Sequence, residues 1–224
     1  MERLVFTESL NIDSVPFTTS DIIAEFSGNS RESIMRLIRK YVKDLQEFGK
    51  VGFEIRAMPS GQKAKIYHLN KEQATLLITY LDNTAPVRKF KRELVRQFFA
   101  MESELYARRA ERQAGKSVHH SLTDAIKESG LSPHFYKHFT DLAYKSALGY
   151  TAKQLRAARG VGKSKSPLDF LSADELMAVN EREQQIAMLI TLDMEYSTIK
   201  ELVNRKGIIY QTTLQMPAKS TVGA

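Results

Sequence analysis

Basic side chains along residues 30–48 avoid the apolar face of a predicted helix. Apolar residues from Ile34 to Phe48 recur there with helical spacing and mark one buried side. The residues that could contact the phosphates or base edges of DNA, or a partner protein, are Arg31, Arg36, Arg39, Lys40 and Lys43, with Lys63 and Lys65 on a following hairpin. The pattern equally fits a solvated basic face, since acidic residues on the same helix dilute its positive charge.

The segment Ala157–Ser164 fits a permissive form of the phosphate-binding loop, in which alanine replaces the first glycine. Such a loop holds phosphates only between a buried strand and a helix, where backbone amides point at the ligand. Here the preceding residues predict a helix, and Pro167 follows closely. We therefore expect no nucleotide binding. A nucleotide-dependent factor built on Lys163 and Ser164 is the alternative from the enzyme class.

His134 and His138 are four residues apart, so they lie on one face of a predicted helix. Two imidazoles at this spacing can contribute to a zinc site, which needs further ligands. The residues between them include no glutamate that could act as the base of a metalloprotease. We expect two half-exposed surface histidines, and neither a metal nor a cofactor.

The composition narrows the class of protein. The 224 residues include no cysteine, which excludes disulfides, thiolate catalysis and cysteine-bound metals. The net charge of +7 favours a polyanion or an acidic partner protein. The apolar runs are too short to span a bilayer, and the N-terminus has no apolar signal region. We expect a cytoplasmic, non-enzymatic protein without membrane contacts.

The elements that position the basic residues follow from periodicity. A short helix after Thr19 ends at Gly28-Asn29, and a second helix runs from Ser30 to about Phe48. Alternating apolar residues then predict a strand from Val51, a turn at Pro59-Ser60-Gly61 and a returning strand. This order predicts a winged helix-turn-helix-like module with a small β-hairpin.

A long helix is predicted from Pro86 to about Gln113. Its broad apolar stripe suggests packing against a second chain, which predicts a dimer or tetramer. The residues predicted to mediate oligomerisation are Val87, Phe90, Leu94, Phe98, Phe99, Met101 and Leu105. A polar break is predicted at 114–120, and an all-helical module follows it. One helix of this module is predicted from Ser172 to at least Leu192 and on to Val203. The whole chain is thus predicted to have a mainly α (α+β) fold. The predicted division is 1–85, 86–116 (a connector), 117–210 and a flexible tail at 211–224.

Three stretches of the chain resemble Rha-type phage regulatory proteins. They are Thr19–Phe26, Tyr67–Ala74 and Val87–Phe99, within roughly residues 18–101. The helical part around Tyr144–Arg156 more loosely resembles phage antirepressors. The Rha-type proteins often have a histidine after the glycine turn, where this chain has Ser30-Arg31. The resemblance implies a role in the choice between lysogeny and lysis, in the cytoplasm of a bacterial host.

Two mechanisms fit this resemblance. An antirepressor binds the phage repressor and releases it from operator DNA, whereas a transcription factor binds DNA itself. The basic second helix favours DNA, and the apolar stripe favours a protein partner. We favour the antirepressor. Acidic residues that could contact a basic repressor are Asp169, Asp174, Glu175, Glu181 and Glu183, although favourable interaction with the helix N-terminus explains them better.

Overall fold

The computed structural model describes residues 2–9, 11–58, 61–162 and 164–214. Two compact units are present: unit 1 contains Asp13–Ser103 with the N-terminal segment up to Ser9, and unit 2 contains Ile12 and the chain from Glu104 onward. A small antiparallel sheet lies near the N-terminus, and a long helix and further helices follow. The predicted mainly α class is confirmed.

Unit 1 begins with strand β1, Phe17–Thr19, which leads directly into helix α1, Ser20–Ser27. The Ile22 N–H donates to Thr19 Oγ1 at 3.3 Å and caps α1. Gly28 ends the helix with φ +72°, a left-handed conformation that glycine adopts without strain. Ser30 then caps helix α2, Arg31–Lys40. The helix, turn and helix therefore occur in the predicted order.

The second predicted helix is shorter than expected. It ends at Lys40, and a separate helix α3 covers Val42–Gln46. Tyr41 interrupts the run with φ −109° and ψ 23°. Its ring stacks on Tyr80 with 4.1 Å between the centroids. The apolar periodicity continued across this interruption, so it could not reveal the break.

The sheet has the order β1-β3-β2, with β2 at Gly52–Ala57 and β3 at Lys63–Asn70. Both pairings are antiparallel, and in the hairpin Phe53 lies opposite Tyr67. The outer edge of β1 is occupied at Phe17, which exchanges two 2.8 Å backbone hydrogen bonds with Phe6. The outer edge of β2 pairs with no strand in the described part of the chain.

Two helices complete unit 1. Helix α4, Lys71–Thr79, begins with a capping box formed by Asn70 and Gln73. The buried Gln73 also donates from Nε2 to Gly49 O at 2.8 Å, which fixes α4 to the segment after α3. Helix α5 runs without interruption over Ala85–Glu128. The boundary between the units falls inside α5, after Ser103.

Two expectations about α5 are wrong. The helix does not end near Gln113, and residues 114–120 are helical, because Val118 and Leu122 extend its buried face. The predicted oligomerisation stripe is largely internal as well. Its residues Val87, Phe90, Leu94, Phe98 and Leu105 are at most 4% exposed, so they are not available to a second chain. Met101 is half-buried, and Phe99 is 58% exposed.

Unit 2 packs helices around two apolar clusters. The helices are α6, His134–Leu148; α7, Ala152–Ala158; α8, Ala173–Thr191; and α9, Tyr196–Lys206, with a short 3₁₀ helix at Pro167–Phe170. The predicted single helix from Ser172 to Val203 is instead two, because Asp193 adopts φ +56°. The flexible tail at 211–224 stays a prediction: Thr212 is buried, and residues 215–224 lie outside the described residues.

Candidate nucleic-acid interface

A groove in unit 1 lies between α2 and the β2–β3 hairpin. One wall is the exposed side of α2, whose apolar residues Ile34 and Ile38 turn inward to the core. The other wall is the hairpin, whose residues Lys63 and Lys65 line the groove. The described residues that line the groove are Arg31, Glu32, Met35, Arg36, Arg39, Met58, Gln62, Lys63, Ala64 and Lys65. Two separate segments thus bring five basic residues to one concave surface.

Arg31 is the most constrained of these five. Its Nε lies 3.1 Å from Asp21 Oδ1, and its Nη1 lies 3.5 Å from Met58 Sδ. Burial raises the pKa of Asp21, and the Arg31 guanidinium partly offsets this shift. Arg31 therefore joins α1, α2 and the hairpin, and we interpret it as a positioning residue that keeps the groove in shape.

The other basic residues of the groove are exposed to solvent. Arg36 and Arg39 lie on the outer side of α2, and Lys63 lies on β3. The Lys65 ammonium lies over two aromatic rings, 3.8 Å from the centroid of Phe53 and 4.7 Å from that of Tyr67. Long exposed cations on two walls of a groove are suited to phosphate oxygens.

Lys40 and Lys43, the other two predicted residues, do not line the groove. Lys40 is the last residue of α2, and its Nζ lies 4.9 Å from the ring of its neighbour Tyr41. Lys43 belongs to α3, beyond the break at Tyr41. The helix break thus separates Lys43 from α2, whereas Lys40 belongs to α2 but lies at its end, outside the groove lining.

Some groove residues were not found from the sequence. Met35, Met58 and Gln62 carry no charge, and their place in the groove depends on how the hairpin packs against α2. The Arg31–Asp21 contact joins residues ten positions apart, across the turn between α1 and α2. The sequence signal for this contact was Asp21 in the first turn of one helix and Arg31 in the first turn of the next.

His138 and His119 lie on different helices of unit 2. The ring of His138 packs against Phe135 and Tyr196, with centroids 6.0 and 5.9 Å away. His119 Nδ1 lies 3.2 Å from Oε1 of the buried Glu183, and this hydrogen bond raises the pKa of His119. Across the described ranges, no three residues with metal-binding side chains cluster together.

The segment that resembled a phosphate-binding loop follows helix α7, rather than a strand. Ala157 and Ala158 are the last residues of this helix, and Lys163 lies outside the described residues. The structural context that such a loop requires is therefore not found before Gly160.

The acidic residues proposed to contact a repressor are largely paired inside unit 2. Glu175 accepts a 2.8 Å hydrogen bond from Arg159, and both are buried. Burial by itself would raise the pKa of Glu175, but hydrogen bonds from Arg159, Thr212 and the Ser172 N–H hold it below its usual value. Asp169 pairs with Arg112 at 2.9 Å. Only Asp174 and Glu181 of this group are exposed.

Comparison with known families bears on unit 1. Residues 18–103 match the family model of the phage regulatory protein Rha. This part of the chain is therefore similar to Rha-type phage regulatory proteins. The match begins in β1 and ends at Ser103, so it lies entirely within unit 1 and shares its last residue. The family is described as regulatory, which confirms the resemblance seen in the sequence. No curated protein is significantly similar to the chain in sequence.

None of the helices in the described ranges is long and apolar enough to cross a membrane.

Proposed function

We propose that this phage regulatory protein binds duplex DNA through the groove between α2 and the hairpin. The observation that carries this proposal is the convergence of Arg31, Arg36, Arg39, Lys63 and Lys65 on one surface, where Glu32 is the one acidic residue among the described lining residues. Duplex DNA is the polyanion that a helix beside a basic hairpin is shaped to contact.

The expected docking follows from the exposed surfaces. Helix α2 enters the major groove, which is wide enough for an α-helix, and presents its N-terminal turn and Arg36 to base edges. Lys63 and Lys65 on the hairpin contact the flanking phosphates. Arg31 stays paired with Asp21 and sets the angle between the helix and the hairpin.

Antirepressor activity is the second candidate. Exposed apolar side chains on α8 favour a protein partner in unit 2: Met177 is 53% exposed, and Met188 is 68% exposed. The contact with the repressor would then use this apolar surface, because Glu175 and Glu183 are buried in internal pairs. DNA binding remains the stronger candidate, because the basic groove has both shape and charge.

A gel shift with the full chain tests the proposal. The probe is a short DNA duplex of mixed sequence, at several salt concentrations. We expect a shift whose affinity falls steeply with salt, because phosphate contacts release counterions. The variant Lys63→Ala/Lys65→Ala should lower the salt slope by about 2, since each lost phosphate contact removes about 1. The matched control, Lys200→Ala/Lys206→Ala, removes two exposed lysines of α9 and should bind like the unaltered chain.

Adding a phage repressor on its operator distinguishes the two candidates. If the chain dissociates that complex and shifts no DNA alone, it is an antirepressor and the proposal of DNA binding is wrong. If both double variants lose the same affinity, binding follows total charge rather than the groove, and the proposal is equally wrong.

A further inference from the structure

The β2 strand leaves one edge of the sheet in unit 1 open. No strand within the described ranges pairs with its outer edge. Two large apolar side chains of this strand lie on one face and are unusually accessible, since Phe53 is 53% and Ile55 is 64% exposed. Open strand edges with exposed apolar residues are sites at which a second strand can add.

The hydrogen-bond pattern shows which backbone groups point outward. The Met58 N–H donates to Gln62 O at 2.8 Å, so this N–H points into the hairpin, toward the returning strand. The Tyr67 N–H points the other way, to Ser20 Oγ at 3.1 Å. Because bonded and non-bonded pairs alternate along an antiparallel ladder, the N–H and C=O groups of Phe53, Ile55 and Ala57 point away from β3.

We propose that β2 pairs antiparallel with β2 of a second copy of this chain, with Ile55 opposite Ile55. The charges of Glu54 and Arg56 on β2 indicate that the partner strand is a second copy of β2. In this register Glu54 of each copy lies opposite Arg56 of the other, which gives two ion pairs across the two-fold axis. Opposite charges facing each other across strands stabilise a pairing.

The neighbouring registers are disfavoured by the same residues. Moving the axis to position 54 places Glu54 opposite Glu54, and moving it to position 56 places Arg56 opposite Arg56. Like charges directly opposite each other destabilise a pairing. Within one chain Arg56 already contacts Glu54, and His68 Nε2 lies 3.8 Å from the same carboxylate. In the dimer, the Glu54 and Arg56 side chains of the two copies would form one row in which negative and positive charges alternate.

The apolar side chains on the other face agree with this register. Ile55 contacts its counterpart at the axis, and Phe53 packs over Ala57 of the second copy. Both large side chains lose exposed apolar surface, which favours association. A two-fold axis normal to the sheet also leaves both α2 helices on one face of a six-stranded sheet. The proposal does not depend on DNA binding.

A cysteine at the axis tests the register directly, because the chain has no cysteine of its own. In hydrogen-bonded antiparallel pairs the Cα atoms are about 5.5 Å apart, within the range a disulfide spans. We expect Ile55→Cys to form a disulfide-linked dimer under mild oxidation. The control Val15→Cys, at a position 65% exposed in the same unit, should stay mostly monomeric on a non-reducing gel. Equal cross-linking of both variants, or none at position 55, would overturn the proposal.

Charge exchange provides an independent test by sedimentation. The single variants Glu54→Arg and Arg56→Glu should each weaken the dimer by about tenfold or more, because each places like charges opposite each other. The combined variant restores opposite charges and should regain most of the lost affinity. A circular dichroism spectrum confirms that each variant is folded. If the unaltered chain is a monomer at about tens of micromolar, or if the combined variant is no better than either single one, the proposed interface is wrong.

Discussion

Gly115 lies in the interior of α5, where a glycine normally weakens a helix. Replacing such a glycine with alanine ordinarily stabilises a helix by about 1 kcal/mol. Here a Cβ at position 115 would overlap Asn180 Oδ1 and lie 3.2 Å from Asn180 Cγ. Asn180 is buried and donates from Nδ2 to Glu111 O at 3.0 Å. The side chain therefore holds α8 against α5 at a point that only glycine accommodates.

The expected cost follows from these contacts. Overpacking a tight contact costs about 1–3 kcal/mol, and displacing Asn180 adds roughly 1 kcal/mol for its hydrogen bond. After the gain in helix propensity, Gly115→Ala should lower the free energy of unfolding by about 1–3 kcal/mol. Urea denaturation followed by circular dichroism measures this as a lower midpoint with an unchanged slope.

A second background provides the control. In a chain that carries Asn180→Ala, the space beside position 115 is open, so the same Gly115→Ala change should stabilise by about 1 kcal/mol. The sign of the effect thus reverses between the two backgrounds. Should Gly115→Ala stabilise the otherwise unaltered chain as well, the close approach of Asn180 would not restrict this position, and the reasoning would be refuted.

Two further predictions concern charged groups in unit 2. Glu175→Ala leaves Arg159 buried without its carboxylate partner and should lower the free energy of unfolding by about 3–5 kcal/mol. The control Glu201→Ala removes an exposed carboxylate and should change the free energy of unfolding little. Equal urea midpoints for the two variants would contradict this prediction. The hydrogen bond to Glu183 raises the pKa of His119, so its contribution to stability is complete below the unfolded pKa of about 6.5 and is lost as pH rises through the higher folded pKa. Thermal melts from acidic to mildly alkaline pH should show this decline, and His119→Ala should remove it; an unchanged pH profile in that variant would rule the pair out as its source.

Several helix ends depend on local sequence signals alone. The capping boxes at Asn70, Thr151 and Ser172 are formed by side chains within three residues of each other, so the sequence contains all of their partners. The left-handed stops at Gly28 and Gly149 are equally local. These signals required no knowledge of tertiary packing.

Helix breaks and the role of apolar stripes were harder to predict. Tyr41 and Asp193 interrupt runs whose apolar spacing continues, because their backbone angles depend on packing against other elements. The stripe from Val87 to Leu105 has the same pattern whether it faces its own chain or a partner. Its burial shows that its own chain covers most of it.

The candidate site was predicted in part, for a similar reason. Arg36, Arg39 and Lys63 could be assigned to an exposed basic surface from their spacing alone. The pairing of Arg31 with Asp21 depends on how α1 and α2 cross, which periodicity does not specify. In unit 2, the buried Arg182 donates to the backbone oxygens of Ser146 and Gly207. Nothing in the sequence around Arg182 indicates that this arginine is buried or makes these contacts.

The short bridge between Phe6 and Phe17 has a consequence for stoichiometry. The N-terminal segment occupies the outer edge of β1 at Phe17, while the outer edge of β2 pairs with no strand in the described ranges. A sheet with two open sides can add chains without limit and grow into a fibre, whereas one with a single open side stops at two. If β2 is the edge that adds a second copy, the bridge at Phe17 therefore favours an assembly that ends at two chains.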